Sequence, residues 1–398
     1  MSRFLFAVPP LVGHINPAVG VAAELAARGH RVAWVCADPA LVRRLAGPGA
    51  RVFGCAGRVL GAGGAERPPD LRGPEALKFL WEWYLLPLAE DMAAGVRAAV
   101  EEFGPDVVVA DQQAFAGALV AERLGVPWAT SATTSAEFGD AFDGIPRVAA
   151  WLEDRLTALR GRIGDPAGTA DPRFSPHLVL VFSTPELVGP TRRTGRHIRH
   201  VGPSIARRPA ADNFPWGWLD RGRAKVLVTL GTANADVGRR FLTECVRALR
   251  ERADRVQSVV VDPGGVLAAE PPDKDVLVTG SVPQLALLER MDAVVCHAGH
   301  NTVCEALWHG VPLVVAPVRD DQPVIAAQVT GAGAGVRVRF GRATAPVLGQ
   351  AVDAVLHEPG HRAAAERLAA AFRAAGGTAA AADHLERLAT GPRDGRAR

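Results

Sequence analysis

Along the chain, short and nearly continuous apolar runs alternate with longer stretches in which apolar residues recur every three or four positions. Unbroken short runs suit strands covered on both faces, and the periodic stretches suit the helices that cover them. In the first half this pattern predicts strands at residues 4–8, 31–36, 106–110, 128–131, 178–182 and 198–201. Helices fall at 18–28, closed by Gly29, and at 115–124, closed by Gly125. The second half repeats the rhythm, with strands at 225–230, 257–261, 276–278, 293–296, 312–316 and 335–338 and helices at 238–250, 302–309 and 324–331. Strand and helix in turn define an α/β chain of doubly wound parallel sheets.

Residues 202–223 (GPSIARRPAADNFPWGWLDRGR) lose periodicity and gather Pro, Arg, Asp and Trp, as a linker does. The expected organisation is a first domain at 1–202, a linker at 203–223, a second domain at 224–375 and a terminal segment at 376–398. The Ala-rich stretch 344–388 reads as two or three helices that pack back over the first domain. A length of 398 residues supports two cores.

Composition narrows the function by exclusion. The net charge is +3, with no Lys/Arg run interleaved with aromatics, so no nucleic-acid partner is expected. Five cysteines (Cys36, Cys55, Cys245, Cys296, Cys304) contain no CxxC pair and read as buried thiols rather than a disulfide or zinc framework. The first apolar run is broken by Pro9, Pro10, Gly13 and His14, and no stretch nears the ~20 apolar residues of a membrane span. A cytoplasmic protein, monomer or homodimer, is the expectation.

Three segments carry chemistry. Cys296 to Glu305 (CHAGHNTVCE) follows a buried strand and opens a helix, so unpaired N–H groups and a partial positive charge meet at Gly299, where backbone can approach a phosphate. His297, Asn301 and Thr302 add donors, although Asn and Thr are equally suited to capping a core helix. Pro317 to Gln322 (PVRDDQ) follows the next strand and delivers Asp321 and Gln322 to the same cleft. In the first half, Gly13 to Pro17 (GHINP) places His14 at a strand end, with Asn16 as helix cap and Pro17 in the first turn. Asp111 ends another strand, either as partner to His14 or as cap of the following helix.

These segments together resemble family 1 of the nucleotide-sugar glycosyltransferases, which includes plant secondary-metabolite and bacterial natural-product enzymes. The family's donor signature, WxPQ through HxGxNSxxE to a terminal DQ, corresponds to Ser281-Val282-Pro283-Gln284, His297 to Glu305 and Asp321-Gln322. The resemblance implies the GT-B fold, two Rossmann-like domains facing across a cleft. It implies an enzyme that moves a hexose from a nucleotide diphosphate sugar to a hydroxyl of a small lipophilic acceptor, with inversion and without metal or further cofactor. His14 falls on the base position, with Asp111 its carboxylate partner. Gly13, Thr232 of the LGT loop, Ser281, Val282, Gln284 and Gly299 line the donor. His297, Asn301 and Thr302 hold the diphosphate, Glu305 the ribose, and Asp321 and Gln322 the sugar hydroxyls. Ser281 replaces the aromatic that stacks on the base, which weakens discrimination between uridine and thymidine; UDP-glucose is favoured, with a dTDP-deoxysugar the alternative. Trp81, Tyr84, Phe115 and Phe138, with Trp83 and Phe142, are candidates for acceptor contacts or for core packing.

Other motifs fail on context. Gly331 to Gly335 follows a helix and precedes a strand, the reverse of a phosphate-binding turn. Gly61 to Gly64 lacks a preceding strand. Asp273-Lys274-Asp275 has DxD spacing but lies before a strand, so no metal site is expected there. A nucleotide-sugar epimerase or hydrolase on the same fold, a silent binding protein and an NAD-dependent oxidoreductase are the competing readings.

Overall fold

The computed structural model describes residues 1–59, 68, 71, 73–138, 146–191, 193–206, 214–231, 238–267 and 273–391. The first part holds strands β1 (Arg3–Ala7), β2 (Arg31–Cys36), β3 (Val52–Gly54), β4 (Val107–Asp111), β5 (Trp128–Ala132), β6 (Val179–Val181) and β7 (Ile198–His200). Its helices are α1 (Val12–Ala27), α2 (Pro39–Ala46), α3 (Gly73–Phe79), α4 (Leu86–Phe103), α5 (Phe115–Arg123), α6 (Pro146–Ile163) and α7 (Pro185–Val188), with a π-helical turn at Leu80–Leu85. The second part holds β8 (Ala224–Thr229), β9 (Val256–Val261), β10 (Val276–Thr279), β11 (Ala293–Cys296), β12 (Leu313–Val315) and β13 (Gly335–Arg337). Helices α8 (Arg239–Arg250), α9 (Gln284–Leu288), α10 (His300–Trp308), α11 (Gln322–Gly331), α12 (Ala345–His357), α13 (Pro359–Ala374) and α14 (Gly377–Thr390) surround it.

Among the described residues the strands form two parallel sheets, ordered β3-β2-β1-β4-β5-β6-β7 and β10-β9-β8-β11-β12-β13. Alternation along β1 shows why its apolar run is continuous. Phe4 and Phe6 enter a core with α1, α2 and α14, while Leu5 and Ala7 enter another with α4 and α5. The second sheet divides likewise. Leu227, Val294 and Val315 face α10, α11 and α13, and Val226, Val295 and Val314 face α8 and α12.

The two halves share packing. Ala136 and Leu187 from the first half join the core beneath α10 and α11. Helix α14 returns to the first half, inserting Ala381, Ala382 and Leu385 against α1. Arg28 binds Asp383 at 2.6 Å and Glu386 at 3.0 Å there, and His30 binds Glu386 at 2.8 Å. At Gly20 the approach is close enough that a Cβ would lie 2.5 Å from Ser204 Oγ and 2.7 Å from a methyl of Thr378.

Two expectations need correction. Helix α1 starts at Val12, with Leu11 at the N-cap and no side-chain cap, so Asn16 is not the cap and Pro17 lies inside the helix. Proline's φ is already helical, and its missing N–H concerns one carbonyl only, that of Gly13, which finds another partner. The short strand β3 was absent from the apolar pattern because its residues are half-buried or exposed.

Candidate active site

Each sheet reverses its strand order once, between β1 and β4 in the first and between β8 and β11 in the second. Crevices at such switch points, beyond the carboxyl ends of the strands, are where doubly wound sheets bind ligands. The chain supplies polar side chains at both: His14 beyond β1 and Asp111 at the end of β4, and His297 beyond β11, beside Gly231 in the loop after β8.

His14 lies in the first turn of α1, and its Nδ1 is 2.9 Å from Asp111 Oδ1. The carboxylate also accepts from Gln113 N at 2.8 Å and from Thr133 Oγ1 at 2.8 Å. Helix α5 is capped by Ala114 without a side-chain bond, so Asp111 does not cap it. With Thr133 donating to Asp111, its oxygen, 2.8 Å from His14 Nδ1, is left to accept. Both neighbours thus hold the Nδ1–H tautomer and leave Nε2 as the basic nitrogen. Burial opposes protonation of His14, but the charge and hydrogen bond of Asp111, joined by the charge of Asp321, outweigh it and raise the imidazole pKa above its ordinary value.

On the opposite side, Gly299 is the N-cap of α10 and supplies no side chain to its first-turn N–H groups. The His297 ring fills the space between two glycines: a Cβ at Gly299 would lie 2.3 Å from its Nε2, and one at Gly231 2.8 Å from its Cε1. Burial, offset by the Thr229 backbone and reinforced by the Arg319 charge, lowers the His297 pKa to about 4. The imidazole is therefore neutral near pH 7, with one N–H to give. Ala298 at φ 65 and Asp320 at φ 57 are left-handed without being glycine, and they lie in the loops after β11 and β12, where strain of ~1–3 kcal/mol is held by surrounding structure.

The remaining expected donor residues converge unevenly. Gln284 Nε2 donates to Glu305 Oε2 at 2.6 Å, and Glu305 is buried. Asn301 Nδ2 donates to the Gly13 carbonyl at 2.7 Å, bringing those two together across the halves. Thr302 is buried in the first turn of α10. Asp321 Oδ2 accepts from Thr134 Oγ1 at 2.6 Å, and Gln322 Oε1 accepts from Val318 N and Arg319 N at 2.9 and 3.1 Å. Ser281 is exposed and Val282 packs against the core under α10. Thr232, Phe142 and Gly61 to Gly64 lie outside the described residues.

Trp81, Tyr84, Phe115 and Phe138, candidates for acceptor contacts or for core packing, are buried core side chains. Trp81 stacks on Phe115 with ring centroids 5.3 Å apart, and Phe138 meets Phe174 edge-on. Tyr84 is fully buried, but its hydroxyl has no hydrogen-bond partner among the described residues. Trp83, by contrast, is 62% exposed. Asp273 caps Asp275 N and Val276 N and binds Arg250, while Asp275 binds Arg223, so both carboxylates serve a structural turn.

Thr133, Thr134 and Arg319 were not among the candidates drawn from sequence. The hydroxyl-rich run Ser131-Ala132-Thr133-Thr134-Ser135 closing a buried strand was the available signal. Its fourth hydroxyl also bridges the two halves, with Ser135 Oγ donating to Gln328 Oε1 at 2.6 Å.

Residues 262–388 match the family described as erythromycin biosynthesis protein CIII-like, C-terminal domain, and residues 16–163 match the glycosyl transferase 4-like domain. The chain is 32% identical to 4'-demethylrebeccamycin synthase of Lentzea aerocolonigenes, over 97% of this chain and 99% of that one. It is also 32% identical to demethyllactenocin mycarosyltransferase of Streptomyces fradiae, covering 98% and 87% of the two chains. The solved glycotransferase of kitacinnamycin superposes with a TM-score of 0.80 at 28% identity, over 97% of this chain and 98% of that one. The two facing α/β halves are the GT-B fold, and no helix among the described residues is long and apolar enough to cross a membrane. With these relatives spanning nearly its whole length, the chain belongs to the family 1 glycosyltransferases of natural-product type, enzymes that transfer sugars.

Proposed function

We propose that this enzyme transfers a hexose from UDP-glucose, with dTDP-glucose accepted, to a hydroxyl of a small lipophilic natural product. The carrying observation is the His14–Asp111 pair at one switch point, facing the uncapped start of α10 at the other. His14 Nε2 takes the proton from the acceptor hydroxyl as its oxygen bonds to the anomeric carbon. The bond from that carbon to the diphosphate oxygen breaks in the same step, so one displacement inverts the centre. Asp111 stabilises the imidazolium that forms.

The electron pair leaves on the diphosphate. Asn301, Thr302 and neutral His297 donate to it, the α10 N-terminus faces it, and the Arg319 charge lies near enough to lower the His297 pKa. These groups suffice in kind for metal-independent departure, and the reading assigns no role to Asp273 or Asp275.

Glu305 reads the ribose and, beside it, Gln284 fixes one carboxylate oxygen. Asp321 and Gln322 read the sugar, the latter through Nε2, since its Oε1 is held by backbone. A dTDP-deoxysugar donor is the second reading, favoured by exposed Ser281 in place of a stacking aromatic and by the mycarosyltransferase relative. The five free thiols fit a cytoplasmic setting. Incubation with UDP-glucose and a panel of lipophilic phenols and macrolactones, followed by mass spectrometry and NMR of the anomeric centre, tests the proposal. A β-glucoside is expected; free glucose or an epimerised donor without acceptor product overturns it.

A further inference from the structure

Pro17 lies inside α1, where a residue normally donates its N–H to the carbonyl four positions earlier. That carbonyl is Gly13's, and proline has no N–H to give it. The carbonyl instead accepts from Asn301 Nδ2 at 2.7 Å, a residue 288 positions away at the start of α10. A carbonyl oxygen can only accept, so it fixes which end of the Asn301 amide faces it. One Nδ2 hydrogen is thereby committed to Gly13, and the other remains for a second acceptor.

We infer that Pro17 is a positioning residue for donor binding: by withholding an N–H it keeps the Gly13 carbonyl available to orient Asn301, whose second Nδ2 hydrogen then meets the donor diphosphate. The inference rests on the donor site proposed above. The same bond ties α1, which carries His14 directly after Gly13, to the helix that receives the leaving group. Base and leaving-group site are thus spaced by one hydrogen bond between the halves. Nothing local in the sequence calls for proline here, since the helix runs on past it to Ala27.

Replacing Pro17 tests this without touching Asn301. Pro17→Ala supplies an N–H to the Gly13 carbonyl and should raise the helical propensity of α1, so a retained melting temperature is expected. UDP affinity, measured by calorimetry, should fall ~5–10-fold, the size of one hydrogen bond whose geometry is lost. Asn301→Ala should weaken UDP binding by ~10-fold in the wild-type background and only ~2-fold beside Pro17→Ala, because coupled residues are not additive. Lactate at position 17, an ester linkage that also lacks the N–H, should restore wild-type affinity, which no packing role of the ring would do. In the ligand-free protein the Asn301 side-chain NH₂ signals should shift in Pro17→Ala and return in the ester variant. Unchanged NMR signals, or additive losses with undiminished UDP affinity in Pro17→Ala, overturn the inference. Wild-type protein that binds neither UDP nor dTDP overturns the donor site itself, a result distinct from a wild type that binds and a Pro17→Ala variant that binds equally well.

Discussion

Thr134 Oγ1 donates to Asp321 Oδ2 at 2.6 Å, so a loop of the first half holds a carboxylate of the second. Burial raises the Asp321 pKa, with Asp320 adding to it; the Thr134 hydrogen bond and the His14 charge pull the other way without cancelling it. Thr134→Val removes that hydrogen bond and favours the neutral acid, a poorer acceptor for sugar hydroxyls. A hydrogen bond to a charged group contributes ~1.5–3 kcal/mol, so KM for UDP-glucose should rise about tenfold or more. The affinity for UDP, which lacks the sugar, should not change, and Thr134→Ser should behave as wild type. Equal losses for UDP and UDP-glucose would assign Thr134 to the fold alone.

His14→Ala should leave UDP binding within about twofold of wild type while transfer falls at least ~10²-fold, because the imidazole acts on the acceptor proton. Asp111→Asn keeps the shape, and its one amide oxygen can still accept from Gln113, but its Nδ2 cannot accept from Thr133 as the second carboxylate oxygen does, and it cannot stabilise an imidazolium. Its kcat should drop with its melting temperature nearly kept. Single-turnover transfer and calorimetry on the two variants separate these outcomes; undiminished turnover in His14→Ala removes the base assignment.

The pH dependence follows from the same pair. A general base works when neutral, so kcat/KM should rise with pH through the His14 pKa, which Asp111 and Asp321 hold above 6.5, and level off beyond it. In Asp111→Asn the burial that lowers the pKa remains while its chief opponent is gone. The rising limb should move to lower pH, toward an unassisted buried imidazole, and reach a lower plateau. Coincident limbs in the two proteins would show that the Asp111 charge does not reach the base.

The sheets were legible because both faces of β1, β4, β8 and β11 are buried, which makes their apolar runs unbroken. The start of α1 was not, since Pro17 imitates a first-turn proline, and the partner of the carbonyl it leaves without an N–H, Asn301, comes from the other half. Local chemistry likewise marked His14, Asp111 and the α10 start. Thr134 and Ser135 acquire partners at Asp321 and Gln328 only through docking of the halves, at sequence separations of 187 and 193 that no local pattern encodes. The aromatics were ambiguous for a further reason. Trp81 and Tyr84, three residues apart, share a helical face and Trp83 lies on the opposite one, but whether that shared face meets a core or a cleft is decided only by packing.

Transfer should persist in excess EDTA at an unchanged rate. Asp273 and Asp275 are committed to backbone N–H groups and to Arg250 and Arg223, and in the proposed mechanism helix dipole and side chains meet the charge on the leaving diphosphate instead. Activity lost on chelation and restored by Mg²⁺ or Mn²⁺ would return these carboxylates to consideration.

Donor choice is the remaining discrimination, and three residues pull on it. In the proposed donor site Glu305 favours ribose over deoxyribose through the 2′-hydroxyl, yet Gln284 already donates to its Oε2 at 2.6 Å, which limits how many ribose hydroxyls it can serve at full strength. Ser281 is exposed and offers no face on which a base could stack, so the thymine methyl meets little resistance. UDP should therefore bind more tightly than dTDP by only a few-fold, about 1 kcal/mol, the net value of one hydrogen bond. The sugar is read more strictly, because Gln322 is buried with its Oε1 pinned by Val318 and Arg319, leaving Nε2 aimed by the backbone itself. A site built to bond a hydroxyl rejects the analogue that lacks it. Titration of UDP-glucose, dTDP-glucose and a dTDP-dideoxyhexose into wild-type and Gln322→Ala protein should show the dideoxy donor weakest in wild type. The gap to dTDP-glucose should then narrow in the variant. A dideoxy donor that binds tightest, indifferent to Gln322→Ala, would instead identify a deoxysugar transferase whose sugar is recognised by packing.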